Sequence, residues 1–146
     1  MTAYQLIEKT AKNAGDAREW SVCNHFGQER TAHDAKAYDA ASDCETADHG
    51  YSVKASAFTL MSGNLCEGKT DFEDIWNLFA SRVHSDRFIY VTTAWVGYEM
   101  NLTEFCEFVH TFCFCERESA KNGGATKIRC RKESSKMIRW LEERVA

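Results

Sequence analysis

Apolar positions along the chain fall into two periods. Phe72, Ile75, Trp76, Phe79 and Val83 recur every three or four residues, which predicts a helix through about His84, capped by Thr70 or Asp71. Phe105, Phe108, Val109 and Phe112 repeat that spacing within 102–112, with Asn101 or Thr103 as the cap. Met137, Ile138 and Leu141, with Trp140 beside them, give a last helix started by Ser134 or Ser135. Two weaker helices are predicted earlier. One covers 3–13 on Tyr4, Leu6 and Ile7. The other runs from about Ala17 to Phe26, capped by Asp16, ended by Gly27, and burying Trp20, Cys23 and Phe26.

The second period is that of strands. The run FIYVTT within Arg87–Thr93 is β-branched and aromatic without interruption, as expected of a strand covered on both faces. Val96–Met100 follows a turn near Ala94-Trp95. Phe114–Glu118 and Lys127–Lys132 lie either side of Asn122-Gly123-Gly124, with Ile128 and Cys130 on one face. Ser42–Thr59 reads as two short strands around the turn Asp48-His49-Gly50. In a simple register, Asp43 and Glu45 share one face of the first strand, and Ser52 and Lys54 share one face of the second. Residues 28–41 are polar and predict a loop, or a short strand around Glu29–Thr31 followed by a turn or short helix, and 60–70 a loop. The order of elements predicts one α/β or α+β domain: a mixed central sheet flanked by helices.

Composition narrows this little. The 146 residues are 44% hydrophobic and 27% charged, enough for a packed core, and proline is absent. No apolar run approaches the ~18 residues of a membrane span, and the first residues lack the apolar stretch of a secretory signal, so a cytoplasmic protein is expected. Seven cysteines without a CxxC pair read as reduced thiols. Cys106, Cys113, Cys115 and Cys130 are a weak zinc set, and small core residues are the better expectation. No lone histidine has metal-site spacing, and no phosphate-binding glycine loop occurs.

Charge is uneven. Residues 1–115 hold 9 Lys and Arg against 17 Asp and Glu, whereas residues 116–146 hold 9 against 5. The basic segment 117–144 is therefore a candidate surface for a polyanion such as DNA.

The helix around Glu19, the strands near Arg30, Asp43 and Tyr51–Ala55, the helix 71–84 and the strand 87–93 together resemble the PD-(D/E)xK, or restriction-endonuclease-like, nuclease superfamily. The resemblance covers about residues 15–95 and leaves 96–146 as a C-terminal strand–helix extension of a single domain. Asp43 matches the family's first acid, Lys54 its lysine, and Glu19 the glutamate that many members carry on the first helix. Val53-Lys54-Ala55-Ser56 resembles a VKxS run seen in several such enzymes. Ser52 stands where the family has an acid before x-Lys, a place where some members recruit a glutamate from elsewhere, here Glu45 or Glu19. The chain as a whole also resembles small phage and prophage proteins.

The resemblance implies a DNA-acting protein of a phage or mobile element. In its active form this would be an endonuclease in which Asp43, with Glu45 or Glu19, holds Mg²⁺ and Lys54 orients the attacking water, while Ser52 holds at most a metal-bound water. In its silent form the same fold would bind a partner, such as a host defence complex blocked by an anti-CRISPR or anti-restriction factor.

Overall fold

The computed structural model describes residues 1–28, 43–46, 48–60, 71–117 and 126–145. Five strands form a mixed sheet in the order β1 (Thr2–Gln5), β6 (Val96–Asn101), β5 (Arg87–Val91), β3 (Gly50–Lys54), β2 (Cys44–Glu45). β3 and β5 are parallel, and the other neighbours are antiparallel. A second antiparallel sheet joins β4 (Thr59–Leu60), β8 (Thr126–Cys130) and β7 (Cys113–Arg117). Among the described residues there are four helices: α1 (Ala14–His25), α2 (Phe72–Arg82), α3 (Leu102–Phe112) and α4 (Ser135–Arg144).

The central strand β5 explains the layering. Its side chains alternate between two cores: Phe88 and Tyr90 on one face, Ile89 and Val91 on the other. Phe88 and Tyr90 meet α2, α3, α4 and the second sheet, with Phe105 stacked flat on Phe88 at 4.3 Å. Ile89 and Val91 meet α1 through Val22 and Cys23, together with Tyr51 and Val53 of β3. A strand buried on both faces has no polar position to spare, which is why its sequence reads as an unbroken apolar run.

The helices α2, α3 and α4 begin as their caps dictate. Asp71 accepts from the Glu73 N–H and Ser134 from the Met137 N–H. Asn101 and Glu104 form a reciprocal capping box at 2.8 and 2.9 Å. Of the predicted loop 60–70, Leu60 is instead a buried residue of β4; the rest of it, the strand near Arg30 and the turn at 122–124 lie outside the described residues.

The N-terminal region departs from expectation. Residues 3–13 are not a helix: Thr2–Gln5 is a strand paired with Val96–Glu99, and α1 begins at Ala14, capped by Asn13 rather than Asp16. The apolar stripe of 3–13 is weak, and pairing along the open side of β6 outweighs it. α1 buries Ala17, Ser21, Val22 and Cys23, which turns Trp20 outward, 51% exposed. Gly27 does end the helix, at φ +68°.

The C-terminal region is not an appendage to the sheet. β8 pairs with β4, the Cys130 N–H bonds the Phe58 carbonyl, and one continuous core runs from Leu60 and Ile75 to Met137 and Leu141.

Candidate functional site

The β2–β3 hairpin forms, but not in a simple register at its first acid. Cys44 pairs with Tyr51 and Glu45 with Gly50, yet the Asp43 N–H also bonds the Tyr51 carbonyl at 2.8 Å. Two residues of one strand thus oppose one of the other, a bulge at Asp43. The bulge turns the Asp43 carboxylate onto the Val53 N–H, a short bond of 2.6 Å that supplies β3 with an acceptor where β2 ends. The Cys23 thiol donates to the Asp43 carbonyl, which ties α1 to the same point. Cys23 also bonds Cys44, and that contact, followed by burial, raises the Cys44 thiol well above its ordinary range, so it is an inert core thiol.

At the other end, the turn is fastened to the start of β5. Asp86 accepts from the Gly50 N–H at 2.9 Å and lies 2.6 Å from His49 Nδ1. Burial, the largest single influence, raises the Asp86 carboxyl, but the His49 and Gly50 contacts together outweigh it and the net shift is downward. Burial pushes the neighbouring Tyr51 phenol up to about 12, and its ring stacks on Phe26 at 4.4 Å.

β3 alternates as its sequence requires. Tyr51 and Val53 are buried towards α1, and Ser52 and Lys54 are half-buried beside Phe88 and Tyr90 of β5. Lys54 lies at the carboxyl end of β3, where the chain turns sharply through Ala57 at φ +58°. Glu45 is exposed and pairs with Gly50, four residues back along β3, roughly 13 Å from Lys54 at strand rise. Glu19 is half-buried on α1.

The carboxyl ends of the parallel strands open into a cleft of ≈ 450 Å³. Lys54 and Ser56 line it from β3 and the turn after it, Thr93 from beyond β5, and Ala14, Gly15 and Arg18 from the first turns of α1. Arg18 lies over the Trp95 ring at 4.6 Å, and the Lys54 ammonium is 5.9 Å from the centre of the Phe58 ring. Trp95 takes φ +61° in the β5–β6 turn, a conformation rare for a side chain of its size, which presents its indole to Arg18. Glu133 holds two of the lining residues in place. Its carboxylate accepts from the Thr93 N–H and hydroxyl, and its own N–H donates to Ser56 Oγ at 3.0 Å.

Sequence reading reached Lys54 and, in the run that follows it, Ser56, but not Arg18 or Thr93. The cleft assembles from three separate segments, so no local spacing signals it. The positive charge of the first turns of α1 was hidden by the helix assigned too late, at Ala17.

A second polar cluster lies between α2 and α3. His110 Nε2 is 2.5 Å from Glu73 Oε1, and its Nδ1 is 2.7 Å from the Cys106 carbonyl and 3.5 Å from the Cys106 thiol. A carbonyl only accepts, so Nδ1 carries a hydrogen, and the other ring nitrogen faces the carboxylate. The pair is a polar clasp between two helices, with the Cys106 thiol raised by burial and by Glu73.

The donor sets bear on metal binding. Among the described residues no three His, Cys, Asp or Glu side chains converge as a metal site. Asp43 commits one oxygen to Val53, Glu45 sits far down the strand, and Ser52 brings no charge, so the described residues do not supply the hard anionic ligands that fit Mg²⁺. Cys113 and Cys130 face each other across β7 and β8, whereas Cys115 is exposed and Cys106 belongs to the His110 cluster. No helix among the described residues is long and apolar enough to cross a membrane.

Comparison with protein families, with curated proteins and with solved structures returned no match.

Proposed function

We propose that the protein acts on DNA by binding its phosphate backbone at the carboxyl end of a nuclease-like sheet, without cutting it. The observation that carries this reading is the opening of Lys54 and Arg18, from different elements, into one cleft at the ends of the parallel strands β3 and β5. Crevices at that end of a sheet are the habitual ligand sites of α/β folds. Two cations there neutralise phosphate charge and release its counterions. The succession α1, β2, β3, α2, β5 is consistent with the nuclease-like core, with the strand near Arg30 lying outside the described residues.

The silent form is favoured over the cutting form by the employment of Asp43. Its carboxylate completes the backbone bonding of β3, and Ser52 replaces the acid that would stand beside it. Lys54 then serves as a phosphate contact.

The test is anisotropy with labelled duplex and branched DNA at several salt concentrations, alongside plasmid incubation with Mg²⁺ or Mn²⁺. Binding that weakens with salt and with Lys54→Ala, and intact plasmid, are expected. Cleavage abolished by Lys54→Ala would restore the nuclease assignment. Absence of DNA binding would leave a protein partner, such as a host defence complex, as the better reading.

A further inference from the structure

We infer that Cys113 and Cys130 are a redox pair, which a small-molecule disulfide converts into a disulfide bond across the β7–β8 ladder. Both are thiols in the structure.

The backbone sets the pair. Cys113 opens β7, Cys130 ends β8, and the two are direct partners in the antiparallel register. Antiparallel partners alternate between those that exchange hydrogen bonds and those that do not. The Arg131 N–H bonds the Phe112 carbonyl at 3.0 Å, so the next rung, Cys113 with Cys130, is of the second kind. The remaining bonds agree. The Cys130 N–H donates to the Phe58 carbonyl at 2.8 Å, and the Cys113 N–H donates to the Val109 carbonyl at the end of α3. Rungs without mutual bonds hold their α-carbons about 4.5 Å apart and bring their side chains closest together. That separation falls inside the roughly 4.4–6.8 Å that a disulfide spans, so closure asks for side-chain rotation and not for movement of the strands.

The side chains meet as this rung requires. Opposed residues point to the same face of a sheet, here the large core, where Cys130 is buried and Cys113 packs against it. One thiol hydrogen-bonds the other, and that contact, followed by burial, raises the Cys113 thiol above its ordinary range. A raised thiol leaves little thiolate at neutral pH, so exchange is slow there.

Other cysteines lack this combination. Cys23 and Cys44 also touch, but neither has exposed surface, so an external disulfide has no entry to them. Cys115 is exposed but is partnered by Ile128, and Cys106 belongs to the His110 cluster. Cys113 is half-buried and Cys130 is 1% exposed, which gives the two sulfurs different parts. Cys113 loses its proton to water, attacks one sulfur of the oxidant, forms a mixed disulfide and expels a first thiolate. Cys130 then loses its proton, attacks the Cys113 sulfur and expels the second. One S–S bond breaks and one forms. The two protein thiols lose two electrons, the small disulfide gains them, and its two thiolates take up the released protons. The bond fastens the exit of α3 to the strand that leads into α4 and closes a loop over residues 114–129.

The test uses the full chain, first reduced and then equilibrated at mildly alkaline pH in glutathione buffers running from reduced to oxidised. Free thiols are trapped by alkylation, and tandem mass spectrometry of an unreduced digest maps the linkages. The expected main product is a Cys113–Cys130 bond in the native protein, with a melting temperature higher by about 5–10 °C, both reversed by dithiothreitol. Cys113→Ala is expected to lose the bond and the shift, and Cys115→Ala to keep both. Mapping on the wild type decides the matter even where a variant fails to fold. Glutathione adducts without an internal bond, a bond from Cys113 or Cys130 to another cysteine, or closure only in urea each overturn the pair. So do thiols that stay unreacted in the most oxidising buffer, and a Cys113–Cys130 bond that fails to raise the melting temperature.

Discussion

The role assigned to Asp43 makes a sharp demand on two substitutions. Its carboxylate accepts from the Val53 N–H at 2.6 Å in a half-buried position, at a bulge that ends β2. Asp43→Ala removes the acceptor of that N–H. A hydrogen bond to a charged group contributes about 1.5–3 kcal/mol, and an unsatisfied donor costs about 1–3 kcal/mol. These describe the same loss and are not summed, so the destabilisation is about 2 kcal/mol. For a chain of this size each kcal/mol lowers the melting temperature by about 2–4 °C, which gives a drop of about 4–8 °C. Asp43→Asn keeps an oxygen acceptor at the same place and loses only the charge, so its cost is below about 1 kcal/mol. Urea unfolding with a shared slope measures both. A site built for Mg²⁺ behaves in the opposite way: close acidic ligands repel, so removing one charge stabilises the apo protein. If Asp43→Ala melts at or above the wild-type temperature, the backbone role is refuted.

Other expectations follow from the fold. Gly97 lies between β1 and β5, where an added Cβ would stand 3.0 Å from an Ile89 methyl and 3.1 Å from a Leu6 methyl; Gly97→Val is expected to cost about 1–3 kcal/mol by overpacking, and wild-type urea stability would contradict the placement of Leu6. Asp86 has its carboxyl pKa lowered in the folded state by His49 and Gly50 against the effect of burial, so its contribution is present above the unfolded value of about 3.9 and fades as pH falls through the lower folded value. The stability gap between wild type and Asp86→Asn is therefore expected to be small, because the side chain is 55% exposed, and to close in acid; a gap that widens there would reverse the sign. Glu73→Gln loosens the clasp on His110 by no more than about 1 kcal/mol, since both groups are substantially exposed, and a larger loss in thermal melting would show that the pair does more than join two helices.

Elements with a strong period were legible from sequence. α2, α3 and α4 follow their apolar stripes and caps, and β5 follows its unbroken apolar run, because in each the pattern and the burial have the same cause. Residues 3–13 misled, since their weak stripe gave no hint that Thr2–Gln5 would pair with β6, a contact more than 90 residues away in sequence. Trp20 was placed inside because it falls three residues before Cys23, whereas the face that α1 buries runs through the small residues Ala17 and Ser21 with Val22 and Cys23, which a search for large apolar residues passes over. The hairpin was found, but a bulge is invisible to a two-residue alternation, so the direction of the Asp43 carboxylate was not. Lys54 was recognised from its position before Ala55-Ser56, whereas Arg18 and Thr93 reach the cleft only through the parallel pairing of β3 with β5 and the packing of α1 across them.

Central to the account is the engagement of backbone phosphate by Lys54 and Arg18, and the salt dependence of duplex binding tests it most directly. Each phosphate contact contributes a slope of about −0.9 to the logarithm of affinity against the logarithm of salt. Lys54→Ala and Arg18→Ala are each expected to weaken binding at low salt and to make the slope shallower by about 1, uniformly across DNA sequences. Slopes identical to wild type in both variants would contradict the account and place the DNA, if bound at all, elsewhere on the molecule.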